Sequence, residues 1–284
     1  MQSNKRSAPR RAAAASKVSG PKTDWGAVSS WYDEHVGESG SEFHREVIIP
    51  GTLRLLAVAP GQNALDIACG QGVLCRSLHE RSVKAIGVDA AQGLIDAARK
   101  RSDPSITYYT GDARDLSFIA ADSMDAAACV LAIQNMHPIQ PVFQSVARTL
   151  RVMGRLVVVL MHPCFRGVKE TSWGWDDEKK VQYRRTDRYL TPRKSPIVTH
   201  PGQDATQYTW TFHKPLEAYA KALRGAGLLI DAIEEWTSHK TSDSGPRAPA
   251  ENVARKEIPL FMAIRAVKIG ASVSTESRLV PEKQ

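Results

Sequence analysis

The sequence predicts an α/β protein built on a largely parallel sheet with helices on its faces. Strand-like and helix-like segments alternate five times within about 100 residues, each apolar run is short, and glycines stand where the first run meets the first helical pattern.

In order along the chain, the first strand is expected at 63–67 and a helix at 72–81. Next come AIGVDA at 85–90, a helix near 91–100, ITYYTGDA at 106–113 and DAAACVLAI at 125–133. A helix at 141–151 then leads through Gly154 into RLVVVLM at 155–161. About fifty residues intervene before PLEAYAKALRGAGL at 215–228, where such a rhythm normally resumes within a few. LLIDAIEEW at 228–236 and IPLFMAIRAV at 258–267 are two further strand candidates. Ahead of the first strand, WGAVSSWYDEHVG and SEFHREVIIPGTLRLLAVAPG read as one or two helices forming an amino-terminal cap, the second ending near Pro60 and Gly61. The expected division is a basic tail at 1–23, a domain at 24–270 with an insertion at about 163–213, and a loose tail at 271–284.

Composition bounds the function classes. The 284 residues carry 42% hydrophobic and 24% charged side chains, ordinary values for a globular chain, and no apolar run approaches the ~20 residues of a membrane span. Of the net charge of +8, Lys5, Arg6, Arg10, Arg11, Lys17 and Lys22 supply six in a tail with no acid, no aromatic and no apolar signal core. The body is nearly neutral, unlike a folded nucleic-acid binder. Cys69, Cys75, Cys129 and Cys164 lack metal-type or disulfide-rich spacing, three of them in segments that read as buried. Reduced thiols, no metal and a cytoplasmic location are the expectation.

The loop in ALDIACGQGVL carries the chemistry. Strand, Gly70-x-Gly72 and helix is an arrangement in which glycines let a ligand approach the backbone. No Lys-Ser or Lys-Thr pair follows, so a triphosphate loop is excluded. A dinucleotide loop wants a third glycine where Cys75 stands, and Asp66 would oppose a pyrophosphate but suit an ammonium group. Asp89 follows Asp66 by 23 residues, close to the ~20 that brings an acid to ribose hydroxyls. Asp112 can accept from an exocyclic adenine amine, with Ala113 and Leu131 as flat apolar walls. An adenosine, an amino-acid end and a positive charge together describe S-adenosylmethionine.

LDIACGQG, IGVD, GDA and LRVMGRLVVVLM resemble, in order and spacing, the motifs of class I S-adenosylmethionine-dependent methyltransferases. The likeness is close over about 60–161 and loose over 215–267. It implies a Rossmann-like, seven-stranded mixed sheet with helices on both faces and the last strand antiparallel. It further implies Asp66 and Gly70 at the methionine end, Asp89 at the ribose, and Asp112 and Ala113 at the adenine. Ala68 stands in place of the usual first glycine, and Val152-Met153-Gly154 in place of a common Pro-Gly-Gly turn.

Methyl transfer is an in-line displacement at a sulfonium, so positioning and water exclusion dominate and a base serves only an acceptor that must lose a proton. His137 in QNMHP and His162 in LMHPCF follow strand ends that should face the methyl group. Tyr32, beside Trp31 in the cap, is the candidate to close over it. Amino-methylating DNA enzymes and release-factor methylators of this family share an Asn or Asp-Pro-Pro-aromatic motif after the fourth strand; here the residues are Ala132-Ile133-Gln134-Asn135-Met136. The insertion holds Trp173, Trp175, Tyr183, Tyr189, Tyr208 and Trp210, which suits a lid over a small acceptor. An RNA methyltransferase is the alternative, with Arg184, Arg185, Arg188, Arg193 and Lys194 on phosphates and Trp173 or Trp175 stacking a base. A non-catalytic S-adenosylmethionine-binding protein is a third reading. Cys164 reads as pocket lining rather than a nucleophile.

Overall fold

In the computed structural model, residues 25–26, 29–200 and 204–270 are described. The expected tails at 1–23 and 271–284 lie outside them. Strands β1 (Asn63–Ile67), β2 (Lys84–Asp89), β3 (Thr107–Thr110), β4 (Met124–Val130), β5 (Leu150–Met161), β10 (Leu228–Trp236) and β11 (Phe261–Lys268) form one sheet in the order β10-β11-β5-β4-β1-β2-β3. The pairs β1–β2, β1–β4, β2–β3 and β4–β5 are parallel, whereas β11 runs antiparallel to both neighbours. This is the expected seven-stranded mixed sheet.

Alternation along the buried strands feeds two cores. Leu65, Ile67, Cys129, Val158 and Ile264 point to one face, where helices α5 (Gln140–Thr149) and α6 (Leu216–Gly225) contribute Phe143, Val146, Tyr219 and Leu223. Ala64, Ala128, Val157 and Ala263 point to the other, covered by α2 (Ile49–Leu56), α3 (Val73–His79) and α4 (Gln92–Arg101). Small residues on that second face let the helices approach the sheet closely.

The amino-terminal cap is α1 (Ser29–Val36) and a π-helical turn, His44–Ile48, running into α2. The chain leaves α2 at Leu56 through Ala57 in the left-handed region (φ 46°), four residues before the expected stop. Helix α5 passes directly into β5 at Leu150, so Val152-Met153-Gly154 is no helix-to-strand turn. It bulges within the strand: Met124 pairs with Leu150 and Ala126 with Arg155. A Cβ on Gly154 would lie 2.7 Å from the Arg151 carbonyl oxygen.

The insertion contains two antiparallel hairpins, β6 (Thr171–Asp176) with β7 (Val181–Thr186) and β8 (Arg193–His200) with β9 (Asp204–His213). Sequence reading missed α7 (Ala248–Glu257), which lies between β10 and β11 and buries only Ala254.

Candidate functional site

The carboxyl ends of β1, β2, β4 and β5 share one edge of the sheet, and the glycine loop lies at the centre of that edge. Ala68 (φ 55°), Gly70 (φ 53°) and Gly72 (φ 84°) are all left-handed, so the chain doubles back sharply before α3. Alanine tolerates this region poorly, which marks Ala68 as a strained point held by its surroundings. Cys69 N–H donates to the Val88 carbonyl at 3.0 Å and Gly72 N–H to the Cys69 carbonyl at 2.9 Å. Tyr108, on β3, fills the space the glycines leave: a Cβ at Gly72 would lie 2.3 Å from its hydroxyl, and one at Gly87 2.6 Å from its ring. Its hydroxyl is fixed by the Ser102 hydroxyl at 2.8 Å.

Asp66, the penultimate residue of β1, is 2% exposed and borders a cavity of about 30 Å³ lined also by Tyr32, His44, Ala68 and Gln71. Burial pushes its carboxyl up to about 7, and the nearby Asp89 charge adds to the effect against the Cys75 thiol, which donates to Oδ2 at 3.5 Å. Asp89 ends β2 and accepts Gly70 N–H on Oδ2 and Ala91 N–H on Oδ1, each at 2.9 Å. Burial raises its carboxyl as well, opposed by those backbone bonds. Two buried carboxylates therefore face one loop with no basic side chain bonded to either among the described residues, a field that favours a cation.

Asp112 lies two residues past β3, half-exposed, and is held by Arg114, whose Nη2 donates to Oδ2 at 2.6 Å and whose backbone N–H donates to Oδ1 at 2.9 Å. Ala113 is buried and joins the core. Leu131 follows β4 in the left-handed region (φ 52°), its N–H on the Val159 carbonyl at 2.7 Å.

Helix α1 lies over this loop. Tyr32 approaches it so closely that a Cβ on Gly70 would be 3.3 Å from the ring, and burial beside Asp89 and Asp66 pushes its phenol up to about 12. Asp33 takes both Arg101 nitrogens, the Oδ2 bond measuring 2.7 Å. Arg101 also donates to Gln71 Oε1 at 2.7 Å, Gln71 Nε2 donates to the Gly37 carbonyl, and Arg76 donates to the Glu38 carbonyl at 2.6 Å. None of these fastenings was legible as a motif, because each joins residues thirty or more positions apart or meets a backbone oxygen.

The two histidines occupy different settings. His162 is buried, its Nδ1 accepts Cys164 N–H at 3.2 Å and its Nε2 lies 2.7 Å from Glu235 Oε1. With Nδ1 accepting, the proton resides on Nε2 and points at the carboxylate. Burial lowers its pKa, partly opposed by Glu235. His137 is exposed and stacks on Phe212 at 5.1 Å, and slight burial with the Lys214 charge lowers it. Lys214 itself is 7% exposed and donates to the Met136 and Phe212 carbonyls at 3.0 and 3.3 Å; burial brings it down to about 8. Gln134 Oε1, Asn135 Oδ1 and Thr209 Oγ1 are buried without a hydrogen-bond partner.

The insertion is pinned above β4 and β5. Thr211 Oγ1 donates to the Gln134 carbonyl at 3.4 Å, Thr186 Oγ1 to the Cys164 carbonyl at 2.8 Å and Arg184 Nε to the Phe165 carbonyl at 2.8 Å. Its aromatics divide between self-packing, as with Tyr208 and Trp210 at 5.1 Å, and contact with arginines, as with Trp173 and Trp175. Among the described residues there is no cluster of three metal-ligating side chains and no helix long and apolar enough to cross a membrane.

Strand order, the reversed last strand and a glycine loop after β1 flanked by acids define a Rossmann-like methyltransferase architecture. Residues 64–154 match a family described as methyltransferase domain. A demethylmenaquinone methyltransferase of Beutenbergia cavernae is 34% identical over 107 residues, 38% of this chain and 44% of that protein. An uncharacterized methyltransferase of Synechocystis sp. is 30% identical over 136 residues, 43% of this chain and 63% of the relative. The chain thus spans less than two thirds of the curated relatives it matches. The S-adenosylmethionine-dependent methyltransferase of Mesorhizobium loti shares the fold at a TM-score of 0.61, with 24% identity, over 77% of this chain and 96% of that one. Residues 64–154 thus match a methyltransferase domain, and the chain shares the Rossmann-like fold of a solved S-adenosylmethionine-dependent methyltransferase.

Proposed function

We propose that the protein transfers the methyl group of S-adenosylmethionine to a small-molecule acceptor. The reading rests above all on Asp66 and Asp89, two buried carboxylates at adjoining strand ends around a left-handed loop. Asp66 would pair with the ammonium and Asp89 with the ribose hydroxyls, while Ala68, Gly70 and Gly72 let the ligand approach the backbone. Asp112, Ala113 and Leu131 would border the adenine. Binding the ribose requires Asp89 to share or release the Gly70 and Ala91 N–H groups it now accepts. Tyr32 would cover the methyl group and exclude water.

The hydrogen bonds of His162 favour a positioning role, with its proton committed to Glu235, over that of a free base. His137, exposed beside the lid root, is the better placed of the two to meet an acceptor proton. The small-molecule reading gains support from the lid's charges: Arg185 pairs with Asp187 and Arg193 with Glu170, so two of the five cations needed for an RNA track are already neutralised. Relatives named demethylmenaquinone methyltransferases agree with a small acceptor. A soluble cytoplasmic enzyme accords with four free cysteines, three of them buried.

Titration calorimetry with S-adenosylmethionine and with NAD tests the cofactor. Asp89→Ala should weaken S-adenosylmethionine binding by about 2–4 kcal/mol. Tight NAD binding, or an unaffected Asp89→Ala protein, would sink the proposal. Incubation of the purified protein and labelled cofactor with fractionated cell extract then identifies the acceptor by the fraction that takes the label.

A further inference from the structure

The cavity beside Asp66 has a second titratable wall. His44 opens the π-helical turn that leads from the cap into α2, and it borders that cavity together with Asp66, Tyr32 and Gln71. Two neighbours place its ring. Ser41 Oγ lies 2.8 Å from Nδ1, and with that hydroxyl donating the imidazole carries its proton on Nε2. Gly40, left-handed at φ 83°, leaves the room: a Cβ there would be 2.8 Å from the His44 Cβ and 3.3 Å from Val73 Cγ1. The histidine, Gly40 and the first residue of α3 therefore meet beside the glycine loop.

A ligand with an amino-acid end brings one positive and one negative group on the same carbon. Asp66 and Asp89 suit the positive group, but the same buried carboxylates repel the negative one, so a cation is needed on the opposite side. The loop supplies little. Its N–H groups at Cys69, Gly70 and Gly72 already reach the Val88 carbonyl, Asp89 Oδ2 and the Cys69 carbonyl. Gln71 is engaged in both directions, Nε2 on the Gly37 carbonyl and Oε1 on Arg101. Arg76 and Arg101 donate to the Glu38 carbonyl and to Asp33, and neither borders the cavity. Among the described residues that line it, His44 alone has a side chain able to carry positive charge. The cavity holds about 30 Å³, room for a water or so, which keeps a group inside it within reach of both walls.

We propose that His44 binds the carboxylate of the ligand's amino-acid end while Asp66 binds its ammonium, so that the pair selects an intact zwitterion. This assignment rests on the S-adenosylmethionine reading for the identity of the ligand, and on the shared cavity and the ring held by Ser41 for the residue. His44 acts in recognition and takes no part in the transfer step. A nucleoside that keeps the sulfonium and the ammonium but lacks the carboxylate loses one of two charge-assisted holds. It therefore binds more weakly, by an amount that the histidine sets.

The test is calorimetric titration of the full chain with S-adenosylmethionine and with its decarboxylated form, which differ in that one group. Wild type should favour S-adenosylmethionine by about thirtyfold. His44→Phe keeps a ring and removes both nitrogens; it should weaken S-adenosylmethionine about tenfold and leave the decarboxylated ligand within about twofold. Ser41→Ala removes only the hydroxyl that holds Nδ1 and should cost S-adenosylmethionine alone about threefold, which keeps the question answerable if His44→Phe fails to fold. Equal weakening of both ligands is what a merely structural histidine gives, and it would overturn the assignment. So would S-adenosylmethionine binding that neither variant alters, or a wild type that does not distinguish the two ligands. A wild type that binds neither nucleoside at millimolar concentration rejects the cofactor reading and this assignment with it, an outcome distinct from binding that ignores His44.

Discussion

Under the proposed function Asp66 links cofactor binding to pH, and the sign can be worked out in advance. Its folded pKa of about 7 stands above the ordinary 3.8, because burial disfavours the charge and Asp89 repels it. The folded protein therefore takes up a proton on Asp66 between pH ~4 and ~7 that the unfolded chain does not. Its contribution to stability is fully present below about pH 4 and is lost as pH rises to about 7, a difference of about 4 kcal/mol at ~1.4 kcal/mol per unit. A cationic ligand reverses the balance, since pairing with an ammonium needs the carboxylate. Affinity for S-adenosylmethionine should thus fall about tenfold between pH 7.5 and 6, and calorimetry in buffers of different ionisation heat should register release of close to one proton at pH 6. Asp66→Asn should flatten that dependence, weaken binding at pH 8 by about 1.5–3 kcal/mol, and yet raise the melting temperature of the ligand-free protein at the same pH. His44 borders the same cavity, so the Asn variant is measured across the whole pH series to isolate Asp66. Binding that is independent of pH from 5.5 to 8, or an Asn variant less stable than wild type at pH 8, would refute the reasoning.

Three further outcomes follow from the same geometry. Lys214, lowered by burial to about 8 from 10.5, keeps a buried charge below pH 8 and sheds it above, so the protein should gain up to about 3 kcal/mol of stability between pH 8 and 10.5; denaturant melts should show the gain in wild type and lose it in Lys214→Met. Gly72→Ala sets a side chain at φ 84° and 2.3 Å from the Tyr108 hydroxyl, which should destabilise by about 2–3 kcal/mol in chemical denaturation, with part of that recovered by Tyr108→Phe. Asp33→Ala removes the partly buried pair with Arg101 that fastens α1, so the cap lifts more often and both association and dissociation of the cofactor, followed by stopped flow, should speed about tenfold.

The parts that were legible in the sequence are those where one physical constraint acts locally. Strands β1, β2, β4 and β11 are short apolar runs because both faces are buried, and the loop between Ile67 and Val73 needs residues that tolerate positive φ. Asp66 and Asp89 stand out because ionisable groups are rare in such runs. Helix α7 escaped notice since APAENVARKE has no apolar stripe and buries one alanine. The hairpins of the insertion alternate weakly and their aromatics remain partly exposed, as Tyr183 and Tyr208 do, so a period of two is hidden. Lys214 and Glu235 could not be found from local pattern either. Their importance comes from burial and from partners 78 and 73 residues away, at Met136 and His162.

The fastened α1 cap has a kinetic meaning. With Tyr32 against Gly70 and Asp33 clasping Arg101, the space beside Asp66 has room for a water or two, so no nucleoside enters until the cap lifts. The ends of β4 and β5 are covered by the insertion, an element separate from α1. Under the proposed function, two doors on one chamber would impose a sequence of events: the nucleoside is loaded first, the acceptor arrives against a shut cap and leaves methylated, and the spent nucleoside departs last. Steady-state inhibition should then be competitive between spent and fresh nucleoside and non-competitive against the acceptor, with the pace of the whole cycle set by how often a single tyrosine steps aside.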